Sequence, residues 1–254
     1  MNGGPDGAGH RVAVREIREA AFRAVVAAGA SSGEAATAAD LVVLGEVLDG
    51  TGVRALADEL DRVPQGRHPV SCSGDTLVVL HDPAGRGPLL LGPQAADLAA
   101  AGRHPVLLPG AWTPPVEWIL VSAAARTRTP LLATRIRADG SPGACALATA
   151  DSTVHRADHP GAFEPGAFGG PHDGPAADTT GPRMAVPPGE GVLLSRWNGA
   201  ARTPDLLAGL TPARTPARQH ERFATALTHG LRVAPEPWAT VYAASRRYLV
   251  PEHR

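Results

Sequence analysis

Apolar residues follow two different periods along this chain, and the change of period divides it. From Val14 to Ala28 the positions Ile17, Ala21, Ala24, Val25 and Ala28 recur at the spacing that lines one face of a helix. Gly29 stands where a helix C-terminal glycine belongs. Ser31 precedes Glu34 by three positions, the spacing of a capping box, and opens a second helix that runs to about Leu48. Gly50 and Gly52 end it. A third helix, from about Val53 to Val63, completes a compact helical unit before the turn Pro64-Gln65-Gly66.

Beyond that turn the apolar runs shorten. The segments 77-LVVL-80 and 88-PLLLG-92 are bounded by Gly, Pro and Asp and predict buried strands. A short helix follows in PQAADLAAA, then a strand at 106-VLLP-109, a buried helix over 115–129 with Pro115 in its first turn, and strands at 131-LLATRIR-137 and 145-CALATA-150. From Asp151 to Gly189 the pattern dissolves into Pro, Gly, His and Asp, which predicts a long loop, either a functional lid or a partly disordered stretch. Regular structure resumes at 191-GVLLSRW-197, and two helices, at about 216–231 and 237–249, close the chain. The expected fold class is α/β: a flexible tail over 1–12, an N-terminal helical unit over 13–63, then a mixed α/β sheet domain with C-terminal helices over 64–254, interrupted by the loop 151–189. No segment repeats at a fixed period, which argues against a solenoid.

Composition narrows the functions. A chain of 254 residues with 43% hydrophobic residues can bury a substantial core. A net charge of -1 and a pI near 6.8 supply no basic field for a phosphate backbone, so nucleic-acid binding is not expected. All 24 basic residues are Arg, which excludes Schiff-base chemistry on a protein lysine and a P-loop lysine. Cys72 and Cys145 stand alone, outside any C-x-x-C pair, and give neither a zinc site nor a disulfide framework. The opening MNGGPDGAGHR has no apolar run, and no segment approaches the roughly 18 consecutive apolar residues of a membrane span, so a cytoplasmic location is expected.

Several side chains are candidates for chemistry. His155, Asp158 and His159 form HRADH in the long loop, followed by His172-Asp173; Pro160 and nearby glycines interrupt a helical H-x-x-x-H geometry, so no metal site is assigned. His81-Asp82 ends a strand, where ligand sites of α/β sheets form, although a turn beginning with Asp-Pro explains the pair equally well. Arg135 and Arg137 alternate along one strand and share a face; they could hold a carboxylate bidentately or guard a strand edge with charge. Cys72 in SCSGD lacks an evident base, and no G-x-S-x-G elbow is present. The glycine clusters 84-AGRG-87 and 166-GAFGG-170 lack the strand-to-helix context of a phosphate loop.

The stretch 13-AVREIREAAFRAVVAAGASSGEAATAADLVVLGEVLDGTGVRAL-56 resembles the N-terminal helical segment of the malate/L-lactate dehydrogenase family, which includes ureidoglycolate and 2,3-diketogulonate dehydrogenases. In that family two helices lead into a Ser-His-Gly corner carrying the catalytic histidine; the matching corner here is Gly50-Thr51-Gly52-Val53, with Thr51 in place of the histidine. A proton donor of near-neutral pKa suits hydride transfer to a ketone, and an unassisted hydroxyl does not have one. A second resemblance, carried by 88-PLLLGPQAADLA-99, 105-PVLLPGAW-112 and 243-AASRRYLVPE-252, is to the domain-of-unknown-function 3726 family. These resemblances imply a dehydrogenase-derived scaffold, an NAD(P) cofactor by resemblance only, and a homodimer. The expected function is a divergent enzyme acting on a small carboxylate or amino-acid-like substrate in specialised metabolism, with Thr51, His81, His155 and His159 as catalytic candidates and Arg135 and Arg137 as substrate-binding ones. The alternative is a non-catalytic ligand-binding or accessory subunit.

Overall fold

The computed structural model describes residues 9–60, 70–74, 76–83, 85–102, 104–110, 112–158, 189–197 and 211–248. In chain order the elements are β1 (His10–Val12), α1 (Val14–Ala27), α2 (Ser32–Asp49), α3 (Gly52–Leu60), β2 (Ser71–Ser73), β3 (Val78–His81), α4 (Pro88–Ala101), β4 (Val106–Pro109), α5 (Pro115–Thr127), β5 (Leu131–Ile136), β6 (Pro142–Ala148), β7 (Val154–Ala157), β8 (Gly191–Arg196), β9 (Pro212–Arg214), α6 (Pro216–His229), β10 (Leu231–Val233) and α7 (Pro235–Arg247). The fold class is α/β. The chain forms two compact units: one comprises Met1–Pro69, Asp82–Leu91 and Pro216–Arg254, the other Val70–His81 and Gly92–Thr215.

The first unit is helical. α1 ends because Gly29 takes a φ of 103°, and the N–H groups of Gly29 and Ala30 turn back onto the carbonyls of Val26 and Val25. α2 begins with the reciprocal cap its sequence announces: the Glu34 N–H donates to Ser31 Oγ at 3.3 Å, and the Ser31 N–H donates to the Glu34 carboxylate at 2.9 Å. α1 packs on α2 and α7, and α3 packs on α2 and α7. Ile17, Leu41 and Leu56 are fully buried in this unit, each contributing roughly 1.5–3 kcal/mol of transfer free energy. α6 is lightly held, with Ala226 its buried residue, and its Arg222 guanidinium donates to the Leu48 carbonyl near the C-terminus of α2.

Two expectations change here. Residues 10–12 are not part of a flexible tail, because β1 pairs antiparallel with β10, His10 facing Val233. The C-terminal helices group with the N-terminal helices and not with the sheet, because the buried side of α7, marked by Pro237, Val241 and Ser245, is a continuation of the helical core.

The second unit is built on an eight-stranded mixed sheet of order β2-β3-β4-β8-β5-β6-β7-β9, in which β3 and β4 run parallel and the other neighbours antiparallel. β5 lies well inside the sheet and is buried along almost its whole length, which explains why its apolar run is nearly continuous instead of alternating. Leu132 and Ile136, four positions apart, share one face: Leu132 joins Cys145, Leu147 and Trp197 in one apolar cluster, and Ile136 joins Leu77, Leu107 and Leu193 in another along that face. α5 packs against β5 and β6, with Trp118 fully buried.

The segment 88–92 is the first turn of α4 and not a strand. Leu and Ala are strong helix formers, so the run is helical once its N-terminus is capped, and it remains so although Pro93, inside the helix, cannot donate to the Leu89 carbonyl. The stretch after Asp151 likewise begins with an ordered strand, β7, paired with β6 and β9.

The two cysteines divide sharply. Cys145 is buried in the sheet, and burial raises its thiol pKa to about 11, whereas Cys72 is exposed on β2. In a native thiol titration with a disulfide reagent, Cys72 is expected to react and Cys145 to wait for denaturation; rapid reaction of both thiols without denaturant would contradict this core.

Candidate functional site

The corner between α2 and α3 is set by two glycines and a buried acid. Gly50 takes a φ of 67°, ending α2 in the left-handed conformation, and its N–H closes on the Glu46 carbonyl. Gly52 then passes so close to α2 that a Cβ there would sit 2.0 Å from the Val42 carbonyl oxygen and 2.6 Å from the Glu46 nitrogen. That approach brings the first N–H groups of α3 onto the Glu46 carboxylate: the Val53 N–H donates to Glu46 Oε2 at 2.9 Å, and the Gly52 N–H also bonds to it. Glu46 is 4% exposed. Burial pushes its carboxyl above the ordinary value, and the Val53 and Gly52 N–H groups pull it part of the way back.

Thr51 occupies the position in which a threonine normally caps its own helix. Here Glu46 accepts the Gly52 and Val53 N–H groups instead, and the buried Thr51 hydroxyl oxygen has no hydrogen-bond partner among the described residues. A buried hydroxyl left in that state costs about 1–3 kcal/mol. The corner therefore holds an unsatisfied polar group beside a buried acid. Glu46 was not singled out from the sequence, although its position four residues before Gly50 put it on the last turn of α2, facing the corner.

The same device recurs at the other end of α3. Glu59, also buried, accepts the Leu89 N–H at 2.9 Å at the start of α4, and a Cβ on Gly87 would lie 2.3 Å from the Glu59 carboxyl carbon. Asp82 accepts the Arg86 N–H at 2.6 Å and its guanidinium Nε and Nη2 at 3.1 Å, so this aspartate organises a turn.

In the sheet unit, the exposed His81 lies with Nε2 2.7 Å from Ser73 Oγ across the β2-β3 hairpin. Arg135 Nη2 is 3.3 Å from Glu190, and Arg137 donates to Ser141 Oγ at 3.2 Å and to the Pro142 carbonyl at 2.8 Å, bracing the β5-β6 turn. His155 is not in a loop: it sits on β7 at 5% exposure, opposite Leu147. His159 lies outside the described residues, as do His172 and Asp173.

Strand order keeps these side chains apart. β3 and β5 are separated by β4 and β8, about 14 Å at the usual strand spacing, and His155 is two strands beyond Arg135. His155 pairs through Leu147 with Leu132, which places it on the face opposite that of Arg135. The sheet therefore does not gather His81, Arg135 and His155 into one constellation. It gathers a different set. The Glu117 carboxylate on α5 accepts two bonds from Arg156, at 2.6 and 2.5 Å, and lies 3.4 Å from Arg214, tying β7 and β9 to the helix. Arg156 was passed over in the sequence because its strand read as loop.

Among the described residues no group of three or more His, Cys, Asp or Glu side chains could hold a metal ion. A nucleotide pyrophosphate needs free N–H donors at a helix start or unengaged arginines. The N-termini of α2, α3 and α4 are closed by Ser31, Glu46 and Glu59, and Arg135 and Arg137 are engaged, so these residues do not fit an NAD(P) pyrophosphate.

Glu46 supplies a pH test. A carboxyl whose folded pKa is raised binds its proton more tightly in the folded state, so the stability this contributes is fully present below the unfolded value, 4.5, and is lost as pH rises through the folded pKa. Glu46→Gln keeps an oxygen acceptor and removes the titration. The melting temperature of Glu46→Gln relative to the parent is expected to climb as pH rises from about 4.5 toward neutrality and then level off; parallel curves would show that Glu46 does not titrate with folding. Gly52→Ala, which must displace backbone, is expected to cost about 3 kcal/mol in a denaturant melt.

No family model matches the chain, and no curated protein matches it in sequence. Solved structures do match in fold. Malate dehydrogenase from Pyrococcus horikoshii OT3 aligns at a TM-score of 0.60 and 11% identity over 98% of this chain and 99% of that one. Malate dehydrogenase from Entamoeba histolytica aligns at 0.58 and 12% identity, covering 97% and 100%. Sulfolactate dehydrogenase from Methanocaldococcus jannaschii aligns at 0.57 and 12% identity, covering 95% and 98%. The chain thus has a malate/lactate dehydrogenase-like fold.

Proposed function

We propose that this chain is a divergent small-molecule enzyme on a malate/lactate dehydrogenase-like scaffold, acting on a small carboxylate or amino-acid-like substrate in specialised metabolism, with ordinary hydride transfer displaced. The observation that carries the reading is the 50–53 corner, where the Thr51 hydroxyl is buried with no hydrogen-bond partner among the described residues while Glu46 holds the start of α3. Substrate binding offers that hydroxyl a partner and recovers part of its cost. Thr51 in place of an imidazole leaves the corner able to orient a polar group and poorly suited to protonate a ketone. Carboxylate recognition by Arg135 requires Glu190 to give up its 3.3 Å contact, and by Arg137 requires the β5-β6 turn to open. His81, with its bond to Ser73, is the exposed proton carrier of the set, and His155 and His159 are secondary candidates.

Membership of the domain-of-unknown-function 3726 family rests on the three segments that resemble it. A homodimer and a cytoplasmic location belong to the same proposal; no helix among the described residues is long and apolar enough to cross a membrane. A second reading, a non-catalytic ligand-binding or accessory subunit, is favoured by one observation: Arg135 and Arg137 already have partners within the fold, Glu190 for the first and the β5-β6 turn for the second, with only the Arg135 Nε left buried without a partner among the described residues.

Tryptophan fluorescence tests the corner as a ligand site. Titration with NADH and NADPH is expected to give no saturable quenching, while a panel of short 2-oxo and 2-amino carboxylates gives saturation with at least one member. Thr51→Val is expected to weaken that binding about tenfold, the worth of one buried hydrogen bond, without lowering the melting temperature. Saturable nucleotide binding restores the redox reading. Failure of the whole panel removes the enzyme reading in favour of the accessory one.

A further inference from the structure

A groove on the helical unit stands apart from the corner. A space of about 380 Å3 lies along α1 and α2, lined by Arg15, Arg18, Glu19 and Phe22 from the first helix and by Ala36 and Ala39 from the second. Positions 15, 18, 19 and 22 form one stripe of α1, so the four side chains rise along the same edge.

We propose that this groove binds a small aromatic carboxylate. Three of its walls are fixed by neighbours. Arg18 Nε donates to Asp40 at 2.7 Å, Glu19 accepts from Arg23 one turn along the helix, and the Phe22 ring stands edge-on to Tyr248, with centroids 6.5 Å apart and planes at 69°. The alanines make the floor: Ala39 is buried and Ala36 half-buried, and neither fills the depth that a longer side chain at the same position would occupy. Arg15 is different. Of the charges lining the groove, it has no acceptor and no ion-pair partner among the described residues.

These features select a ligand class. A carboxylate matches the guanidinium fork of Arg15 bidentately. A flat apolar body lies on the alanine floor against the Phe22 ring, where offset or edge contacts add to area burial. The volume falls near the lower end of small-molecule sites, which run from roughly 300 to 1,000 Å3. One uncompensated positive charge, beside Glu19 and Asp40 that are already paired, suits a monoanion better than a phosphate dianion. Because Arg15 is exposed, binding is weak and salt-sensitive.

The probe is benzoate, followed by amide 1H–15N shifts of the full chain, with benzamide as the uncharged control. Saturable shifts confined to residues on the facing edges of α1 and α2 are expected, with benzamide at least tenfold weaker. Arg15→Gln removes the charge and is expected to reduce benzoate affinity at least tenfold. Ala36→Leu fills the floor while keeping Arg15, and is expected to do the same. Should Ala36→Leu fail to fold, judged by its melt, the Arg15→Gln and benzamide comparisons decide. Shifts that stay linear with benzoate concentration, that centre on the 50–53 corner, or that persist unchanged in Arg15→Gln overturn the proposal. Loss of the groove proposal leaves the Thr51 reading standing, since that reading is tested by its own probes and variant, and shifts centred on the 50–53 corner would count in its favour.

Discussion

A buried carboxylate that accepts the opening N–H groups of the next helix is the interaction on which the helical unit depends. Glu46 on α2 starts α3, and Glu59 on α3 starts α4. Each acid lies within a few per cent of complete burial, so each must be repaid for lost hydration, and helix N–H groups with their dipole supply that compensation. The geometry tolerates no side chain at the contact. Gly52 is required because the backbone of the acid-bearing helix occupies the space a Cβ would take, and a Cβ at Gly87 would displace the Glu59 carboxylate itself.

This constraint reaches into the chemistry. By taking the N–H groups that a capping threonine would use, Glu46 leaves Thr51 with a buried, unpartnered oxygen in the corner that the resemblance associates with catalysis. Side-chain acceptors likewise close the anion sites that a dinucleotide would exploit at the starts of α2, α3 and α4. In the sheet unit the polar residues are similarly committed. Glu117 with Arg156 and Arg214, Arg135 with Glu190, and Arg137 with the β5-β6 turn all join elements of the fold to one another.

Much of the helical unit was legible because its signals are local. The capping box at Ser31 and Glu34, the glycine after α1 and the breaks at Gly50 and Gly52 each act within one turn of chain, and each appears where its spacing predicts. The long apolar runs of β5, β8 and α5 were legible for a related reason, since burial on all sides leaves a continuous pattern. The short edge elements were not. β1, β2, β9 and β10 have three residues each, too few to carry a period, and they exist because another strand offers a partner, close in the chain for β2 and distant for β1, β9 and β10. Segment 88–92 was misread because an apolar run of five is ambiguous between strand and helix, and the Glu59 cap that decides the matter lies thirty residues away.

The candidate site divides along the same line. By itself the sequence determined the α/β class, the corner at 50–53 with threonine in it, and the absence of lysine chemistry, because these follow from local spacing and residue identity. Tertiary structure alone decided that Glu46 is the corner's buried acid, that His155 is a core strand residue, that Arg135 and Arg137 have internal partners, and that α7 belongs with α1. Those outcomes depend on which groups, far apart in the chain, are desolvated together. Desolvation, which sets both the cost of a polar atom and the partner it must find, is not a property of any window of sequence.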